Sequence, residues 1–213
     1  MSGQYRNYID GEWVESETGE TFESRNPADR DDVIGTFQQS GEADAERAVE
    51  AAAATETWAD TPAPERGAVQ RAIDIFAYYG AKASDLGGDV KSSSGRDTTL
   101  YTTNEPIGIA GLITPWNYPI AIPAWKIAPA LATGTTVVFK PASLTPNIAR
   151  KLVECLDDAG LADGALNLVT GPGSTVGRTF STHDAVDAVS FTGSAAVGET
   201  VGDQAKETDK RVQ

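Results

Sequence analysis

Residues 107–119 read Ile-Gly-Ile-Ala-Gly-Leu-Ile-Thr-Pro-Trp-Asn-Tyr-Pro, an apolar run that leads into a tight turn between two prolines. A helix-compatible stretch follows. The same succession returns three times before residue 198, with turns at residues 140–143, 170–177 and 191–194. Apolar β-forming runs that alternate with helices predict a parallel sheet with right-handed crossovers. Loops and helix N-termini of such a sheet converge at the carboxyl ends of its strands, where ligands bind.

The alternating part of the chain predicts four strands and four helices. Gly134 and Gly160 stand where helix C-caps are expected. The fold class is therefore predicted as α/β, with an incomplete, doubly wound, Rossmann-like parallel sheet. The strands are expected at residues 107–113, 135–140, 166–170 and 188–191, and the helices at residues 119–132, 146–159, 175–182 and 195–206.

The first hundred residues have a different pattern. Residues 1–40 predict small β elements, including a hairpin whose strands, 5–9 and 12–14, flank Asp10-Gly11. Residues 41–97 predict two helices and a loop. The first helix is expected to be capped by Ser40 and to stop at the prolines at positions 62 and 64. Further strands are expected at 21–24, 33–37 and 100–103, the second helix at 65–86, and the loop at 91–97.

Composition excludes some classes of protein. The net charge is −14, from 31 acidic and 17 basic residues, which argues against a nucleic-acid partner because phosphate neutralisation needs clustered Lys and Arg. The acidic residues are interpreted as a solvated surface. One cysteine permits no intramolecular disulfide, and no apolar run suggests a signal peptide or a membrane span. A cytoplasmic protein is expected.

Two of the turns resemble phosphate-binding loops, and each has an ordinary alternative. Gly171, Gly173 and Gly177 form a Gly-x-Gly-x-x-x-Gly pattern after a strand, which is one residue longer than the usual dinucleotide fingerprint. It fits a ligand site or a simple tight turn equally well. Ser194 precedes a helix, where it is either a plain N-cap or part of a pyrophosphate site.

Two polar side chains stand at the ends of apolar strands. Lys140 directly precedes Pro141, and its ammonium either reaches solvent or binds a ligand hydroxyl or phosphate. Asn117 lies between Pro115 and Pro119, so its amide is either a donor to a developing negative oxygen or part of an Asx turn.

Cys155 and His183 are the only cysteine and histidine. Cys155 shares a helical face with Leu152 and Leu156, so a buried, inert thiol is expected. His183 lies near a helix end, where capping or solvent exposure is expected. One cysteine and one histidine give no basis for a transition-metal site, and none is predicted.

Taken together and in this order, the turns resemble the signatures of the aldehyde dehydrogenase superfamily, NAD(P)-dependent enzymes with a catalytic cysteine. The similarity is nearly continuous from Asn104 to Val212 and reaches the N-terminal part of the chain. The motifs are Tyr8-Ile-Asp-Gly-Glu-Trp13, Asn26-Pro27, Thr114-Pro-Trp-Asn-Tyr-Pro119, Trp125-Lys-Ile-Ala-Pro-Ala-Leu131, Lys140-Pro-Ala-Ser143, Asn167-Leu-Val-Thr-Gly-Pro-Gly173 and Ser190-Phe-Thr-Gly-Ser194.

The resemblance implies oxidation of an aldehyde to a carboxylic acid with NAD or NADP. Asn117 matches the family's oxyanion-stabilising asparagine. Ser143 stands where NAD-preferring members often carry a Glu that binds the ribose, so NADP should be at least tolerated. The implied cofactor-binding residues are Ile113, Thr114, Pro115, Trp116, Lys140, Ala142, Ser143, Gly173, Gly177, Phe191, Thr192, Gly193, Ser194 and Val197.

The chain departs from the family pattern at two places. Family members continue past a segment like Lys210–Val212 into the general base and the catalytic cysteine, whose position Cys155 does not match. Here Glu65-Arg66-Gly67 also runs almost directly into Asp74, which indicates an internal shortening. Residues 1–213 are interpreted as one incomplete domain: N-terminal β elements to residue 40, a helical segment to 97, and an NAD(P)-binding part over 98–213.

The departures lead us to expect that the isolated chain does not oxidise aldehydes, because nucleophilic catalysis needs a thiol with a base in reach. The expected partners are a small-molecule aldehyde and either a second copy or a separate catalytic half, without nucleic acid or membrane. Three alternatives stay open: a non-catalytic remnant, an NAD(P)-binding subunit of a split enzyme, and a cofactor-binding regulatory module.

Overall fold

A computed structural model describes residues 3–55 and 74–213 of the chain. Its strands are β1 (Gly3–Tyr5), β2 (Asn7–Ile9), β3 (Glu12–Val14), β4 (Thr21–Asn26), β5 (Asp29–Gln38), β6 (Val90–Lys91), β7 (Leu100–Tyr101), β8 (Ile109–Ile113), β9 (Thr136–Lys140), β10 (Leu166–Leu168), β11 (Ala188–Phe191) and β12 (Arg211–Val212). Its helices are α1 (Glu42–Ala54), α2 (Asp74–Ala83), α3 (Ala121–Ala132), α4 (Pro146–Asp158), a π-helical turn (Gly173–Gly177), α5 (Arg178–Thr182) and α6 (Ala195–Lys206).

The largest sheet has seven strands in the order β12-β11-β8-β9-β10-β2-β3. From β8 the chain moves outward to β9 and β10, and it then returns to the other side of β8 to form β11 and β12. All pairings among these five strands are parallel. The reversal of direction beside β8 is the topological switch point of a doubly wound sheet. The predicted fold class is confirmed.

Apolar side chains on both faces bury the central strands. Every residue of β8 and β9 is buried, as expected for parallel strands covered on two sides. In β9, Val137 and Phe139 join the core beneath α3 and α4, whereas Val138 joins the core beneath α1 and α5. The two-residue period of a strand thus divides one apolar run between two cores.

The N-terminal strands extend this sheet. Strand β2 pairs antiparallel with β10 and forms the predicted hairpin with β3. Asp10 and Gly11 occupy the turn with φ of 53° and 77°, the left-handed values that favour these residues. The predicted strand over 5–9 is interrupted at Arg6, because Tyr5 belongs to β1 and pairs with Phe37 of β5 in a separate sheet.

Several local predictions need correction. Gly41, and not Ser40, is the N-cap residue of α1; the Ser40 hydroxyl instead accepts a hydrogen bond from Asn7. The helix expected over 175–182 is divided into the π turn and α5. The loop expected over 91–97 begins within β6, which pairs with β7. Of the helix expected over 65–86, residues 65–73 lie outside the described part, as do the prolines at 62 and 64, and α2 ends at Ala83.

Cys155 is exposed on α4, so the prediction of a buried thiol is wrong. The buried stripe of this helix runs through Ala149, Leu152, Val153 and Leu156. Cys155 lies at the outer border of that stripe. The prediction failed because a three- or four-residue period does not determine which flanking position turns towards solvent.

Asp44 connects α1 to the preceding strands. Its carboxylate is buried and accepts hydrogen bonds from the Ser16 hydroxyl (2.6 Å), the Glu17 amide (2.9 Å) and the Gly41 amide (2.9 Å). Three donors therefore depend on one side chain. No helix in the described part of the chain is long and apolar enough to cross a bilayer.

Asp44→Ala should lower the free energy of unfolding by about 2 kcal/mol, because it leaves the buried Ser16 hydroxyl and two partly buried amides without their acceptor. Urea denaturation measures the change. Asp203→Ala is the control, since Asp203 and its partner Lys206 are each 75% exposed and such pairs contribute little. Equal shifts of the denaturation midpoint in both variants would contradict the role given to Asp44.

Candidate functional site

The ends of three neighbouring strands lie side by side at the switch point. Ile113 pairs in register with Phe191 on one side and with Lys140 on the other. Beyond the strands, the Thr192 amide donates to the Ile113 carbonyl (3.0 Å) and the Thr114 amide donates to the Lys140 carbonyl (3.2 Å). The backbone ladder therefore brings three of the sequence-predicted turns to one edge of the sheet.

The π turn lies over two of these strand ends. A Cβ atom on Gly177 would stand 3.5 Å from Ile113 Cδ1 and 3.9 Å from Lys140 Cδ. A Cβ atom on Gly173 would have no described atom within 4 Å, and Gly173 is exposed. The turn thus packs on the strand ends through the buried Gly177 and exposes bare backbone at Gly173, where a ligand can approach closely.

Lys140 is buried at the end of β9. Only 5% of the residue is exposed, and its Nζ donates to the Pro141 carbonyl (3.0 Å). Burial lowers the pKa of Lys140 to about 8. The ammonium does not reach solvent freely. The alternative in which it simply extends into water is therefore wrong. A poorly solvated cation is suited to bind a hydroxyl or phosphate oxygen.

Thr114 follows β8 directly and is 4% exposed. Its Oγ1 is buried and has no hydrogen-bond partner among the residues that the structure describes. Buried polar atoms without a partner are rare in folded proteins, and each calls for an explanation. A ligand hydroxyl placed beside the ends of β8 and β9 would satisfy this oxygen.

The turn after β11 packs closely against the ring of Phe191. A Cβ atom on Gly193 would come within 2.4 Å of Phe191 Cζ, and one on Gly198 would come within 3.4 Å of the same ring. Both glycines therefore make room for Phe191. Sequence reasoning missed Gly198, because no motif distinguishes a glycine that accommodates a ring from any other helical glycine.

Helix α6 presents its N-terminus at the same edge of the sheet. Ser194 is the N-cap residue, but its side chain makes no capping hydrogen bond within the described chain. Residues 193–197 are exposed, and Val197 is 50% exposed. The first N–H groups of a helix lack intrahelical acceptors and carry partial positive charge, which favours an anion at such an end.

The loop after β8 projects outward. Trp116, Asn117 and Tyr118 are exposed, and Pro115 is half-buried. The Asn117 amide makes no hydrogen bond to the described residues, so the Asx turn considered for it is not formed there. Trp116 does not join the other predicted residues. It lines a neighbouring apolar cavity of about 480 Å³ with Leu144, Ile148 and Ile34.

The loop after β9 contacts the glycine turn. The Ser143 hydroxyl donates to the Gly171 carbonyl (3.4 Å), and Ala142 is half-buried beside it. Ser143 is otherwise exposed and carries no charge. The loop and the turn therefore meet on the side of Lys140 away from β8.

These features fit a ligand with phosphates and hydroxyl groups. The site offers exposed glycine backbone at Gly173, a buried cation, a hydroxyl without a partner in the described chain and the N-terminus of α6. That combination at a switch point is typical of dinucleotide sites. Within residues 3–55 and 74–213, no group of three His, Cys, Asp or Glu residues is arranged to hold a metal ion.

Comparison with known sequences identifies relatives over the whole chain. The model of the aldehyde dehydrogenase family matches residues 13–69 and 66–213. An alpha-ketoglutarate semialdehyde dehydrogenase of Haloferax volcanii is 51% identical over 248 aligned positions, which cover all of this chain and 52% of that protein. An alpha-ketoglutaric semialdehyde dehydrogenase of Bacillus subtilis is 40% identical, with 94% of this chain and 48% of that protein covered.

The matched part of the Haloferax protein is longer than the 213 residues of this chain, and the family match is divided at residues 66–69. Both observations agree with the internal shortening expected there. The chain spans about half the length of the curated relatives it matches.

Solved structures give the same result. The crystal structure of betaine aldehyde dehydrogenase from Staphylococcus aureus in complex with NAD⁺ superimposes with a TM-score of 0.93 and is 35% identical. The superposition covers 98% of this chain and 48% of that one. From the family match, the sequence relatives and the shared fold, we conclude that the chain belongs to the aldehyde dehydrogenase family.

Proposed function

We propose that this chain forms the NAD(P)-binding half of an enzyme that oxidises an aldehyde to a carboxylic acid. The observation that carries the proposal is the meeting of strand ends at the switch point, where Lys140 is buried with a single carbonyl partner and Thr114 holds a buried hydroxyl without a partner in the described chain. The names of the sequence relatives support a semialdehyde of 2-oxoglutarate as the substrate. The NAD⁺ in the Staphylococcus aureus structure supports the cofactor.

Each part of the candidate site has a role in this proposal. Lys140 and Thr114 bind ribose hydroxyls, because both place buried polar atoms at the ends of β8 and β9. The N-terminus of α6, whose N-cap residue is Ser194, holds the pyrophosphate through its free N–H groups. The π turn contributes exposed backbone at Gly173, against which the adenosine lies, while the buried Gly177 packs on Ile113 and Lys140.

The chemistry takes place beside the loop after β8. When bound, NAD(P)⁺ supplies the hydride acceptor. Asn117 is proposed to donate its amide to the aldehyde oxygen as negative charge develops there, since the flanking prolines restrict the loop and the amide is not engaged by described residues.

Cys155 is not proposed as the nucleophile. It lies nine residues after the start of α4, roughly 13 Å along the helix axis from the end that follows the β9 turn. The thiol and the general base of the reaction are proposed to lie outside these 213 residues. Residues 1–213 by themselves should therefore bind the cofactor without oxidising aldehydes.

We also infer a cytoplasmic location and association with either a second copy or a separate catalytic half. The single cysteine supports a reducing compartment. The exposed apolar surface around Trp116, Leu144 and Ile148 supports association.

Thr114→Val tests the proposed site. Because Thr114 Oγ1 is buried without a hydrogen bond to the described residues, the change should leave the melting temperature unaltered or raise it, and it should weaken NADH binding about fivefold. Fluorescence titration gives the dissociation constant for NADH. Thr136→Val is the control. Thr136 is buried at the start of β9, at the opposite end of the strand, and donates to the Ala52 carbonyl (3.3 Å). This variant should lose stability and keep its affinity for NADH. Absence of NADH binding to the unsubstituted chain would refute the proposal.

Ser143→Glu should shift cofactor preference towards NAD. A carboxylate at this exposed position repels a ribose 2′-phosphate and accepts a hydrogen bond from a ribose 2′-hydroxyl. Dissociation constants for NADH and NADPH give the ratio, which should change at least tenfold. Ser143→Gln has the same size without the charge and should change it much less; equal ratios in both variants would remove the electrostatic explanation.

NADH binding should weaken as pH rises above about 8. The depressed pKa of Lys140 means that the free protein loses this positive charge there, whereas the anionic cofactor favours the ammonium form. The dissociation constant measured from pH 7 to 9.5 should rise by up to about tenfold per pH unit above 8. Lys140→Met should bind weakly and nearly independently of pH; a slope that persists in this variant would exclude Lys140 as its source.

A further inference from the structure

The glycine turn is held in place by a buried side chain from the other end of the sequence. Thr170, which is 4% exposed, carries the chain from β10 into Gly171 and the π turn. Its amide donates to Asn7 Oδ1 (3.2 Å), and its hydroxyl lies 3.3 Å from the same oxygen and donates to the Gln38 carbonyl (2.8 Å). Asn7 is completely buried in β2.

Asn7 also fixes the segment on which Gly171 rests. Its Nδ2 donates to the Ser40 hydroxyl (2.8 Å), and the Ser40 amide donates to the Thr170 carbonyl (3.2 Å). A Cβ atom on Gly171 would stand 2.8 Å from the Ser40 carbonyl oxygen. The backbones of Ser40 and Gly171 are thus in close contact, and one amide side chain joins both to β2.

This arrangement affects the candidate site through two structural connections. After Gly171, the chain enters the π turn, where Gly177 stands over Ile113 and Lys140. The Gly171 carbonyl also accepts the Ser143 hydroxyl of the loop after β9. A shift of Thr170 and Gly171 would therefore move both the π turn and the support of Ser143.

We propose that Asn7 is a positioning residue for cofactor binding, acting through Thr170 and Gly171 without touching the ligand; this inference rests on the proposed function. Without the amide oxygen, the buried Thr170 N–H has no acceptor, so the turn is free to move towards water. The N-terminal strands, which look like a separate small element in sequence, then form part of the dinucleotide site.

Asn7→Ala in the full 213-residue chain should weaken NADH binding about tenfold. Hydrogen exchange of peptides covering residues 170–177 should become at least fivefold faster. Asn7→Asp keeps an acceptor for Thr170 and should recover most of the exchange protection and affinity relative to Asn7→Ala. If Asn7→Ala does not fold, Ser40→Ala replaces it, because it removes the acceptor of Asn7 Nδ2 and leaves the backbone unchanged.

Asn167→Ala is the matched control. Asn167 is equally buried, lies only three residues before Thr170, accepts from the Asp10 amide (3.0 Å) and donates to the Gly164 carbonyl (2.8 Å). The Asn167→Ala variant should lower the melting temperature as much as Asn7→Ala does. Its affinity for NADH and the exchange rate of residues 170–177 should stay within twofold of the values for the unsubstituted chain.

The proposal is overturned if Asn7→Ala leaves affinity and exchange within twofold, or if Asn167→Ala changes both equally. Failure of the unsubstituted chain to bind NADH contradicts the proposed function instead. The exchange measurement then decides by itself whether Asn7 holds the turn.

Discussion

The structure depends on the parallel pairing of β8 with β9 and with β11. Strand β8 has β9 on one side and β11 on the other, and the connecting helices run to opposite sides of it. The connections therefore do not cover its carboxyl end. The register of Phe191, Ile113 and Lys140 then sets the floor of the candidate site. Every residue that we place in the site takes its position from this floor or from a turn that leaves it.

Hydrogen bonding distinguishes two kinds of buried polar residue in this structure. Asp44, Asn7 and Thr170 are buried and fully engaged, so they stabilise the junction between the N-terminal strands and the sheet. Thr114 and Lys140 are equally buried and poorly engaged: one hydroxyl has no partner in the described chain, and one ammonium has a single carbonyl. Polar groups of the second kind cost stability unless a ligand satisfies them, which is the physical argument for a binding site here.

Much of the fold followed from the sequence because the local signals were strong. The limits of α6 were predicted to the residue, and the four strands of the alternating part to within two residues at each end. Signals that depend on contacts were weaker. Whether Ser40 caps a helix or accepts from Asn7 depends on a residue 33 positions away, and the exposure of Cys155 depends on which side of α4 faces the sheet.

The sequence by itself determined the alternation of strands and helices, the turns that carry the cofactor motifs, and the family, because hydrophobic periodicity and turn chemistry are local properties of the chain. Only the tertiary structure decided that Gly177 stands over Lys140, that Trp116 turns to a different cavity, and that Asn7 reaches Thr170 across 163 positions. Burial and hydrogen-bond partners come from strand order and from packing against distant segments, and no local window of sequence contains that information.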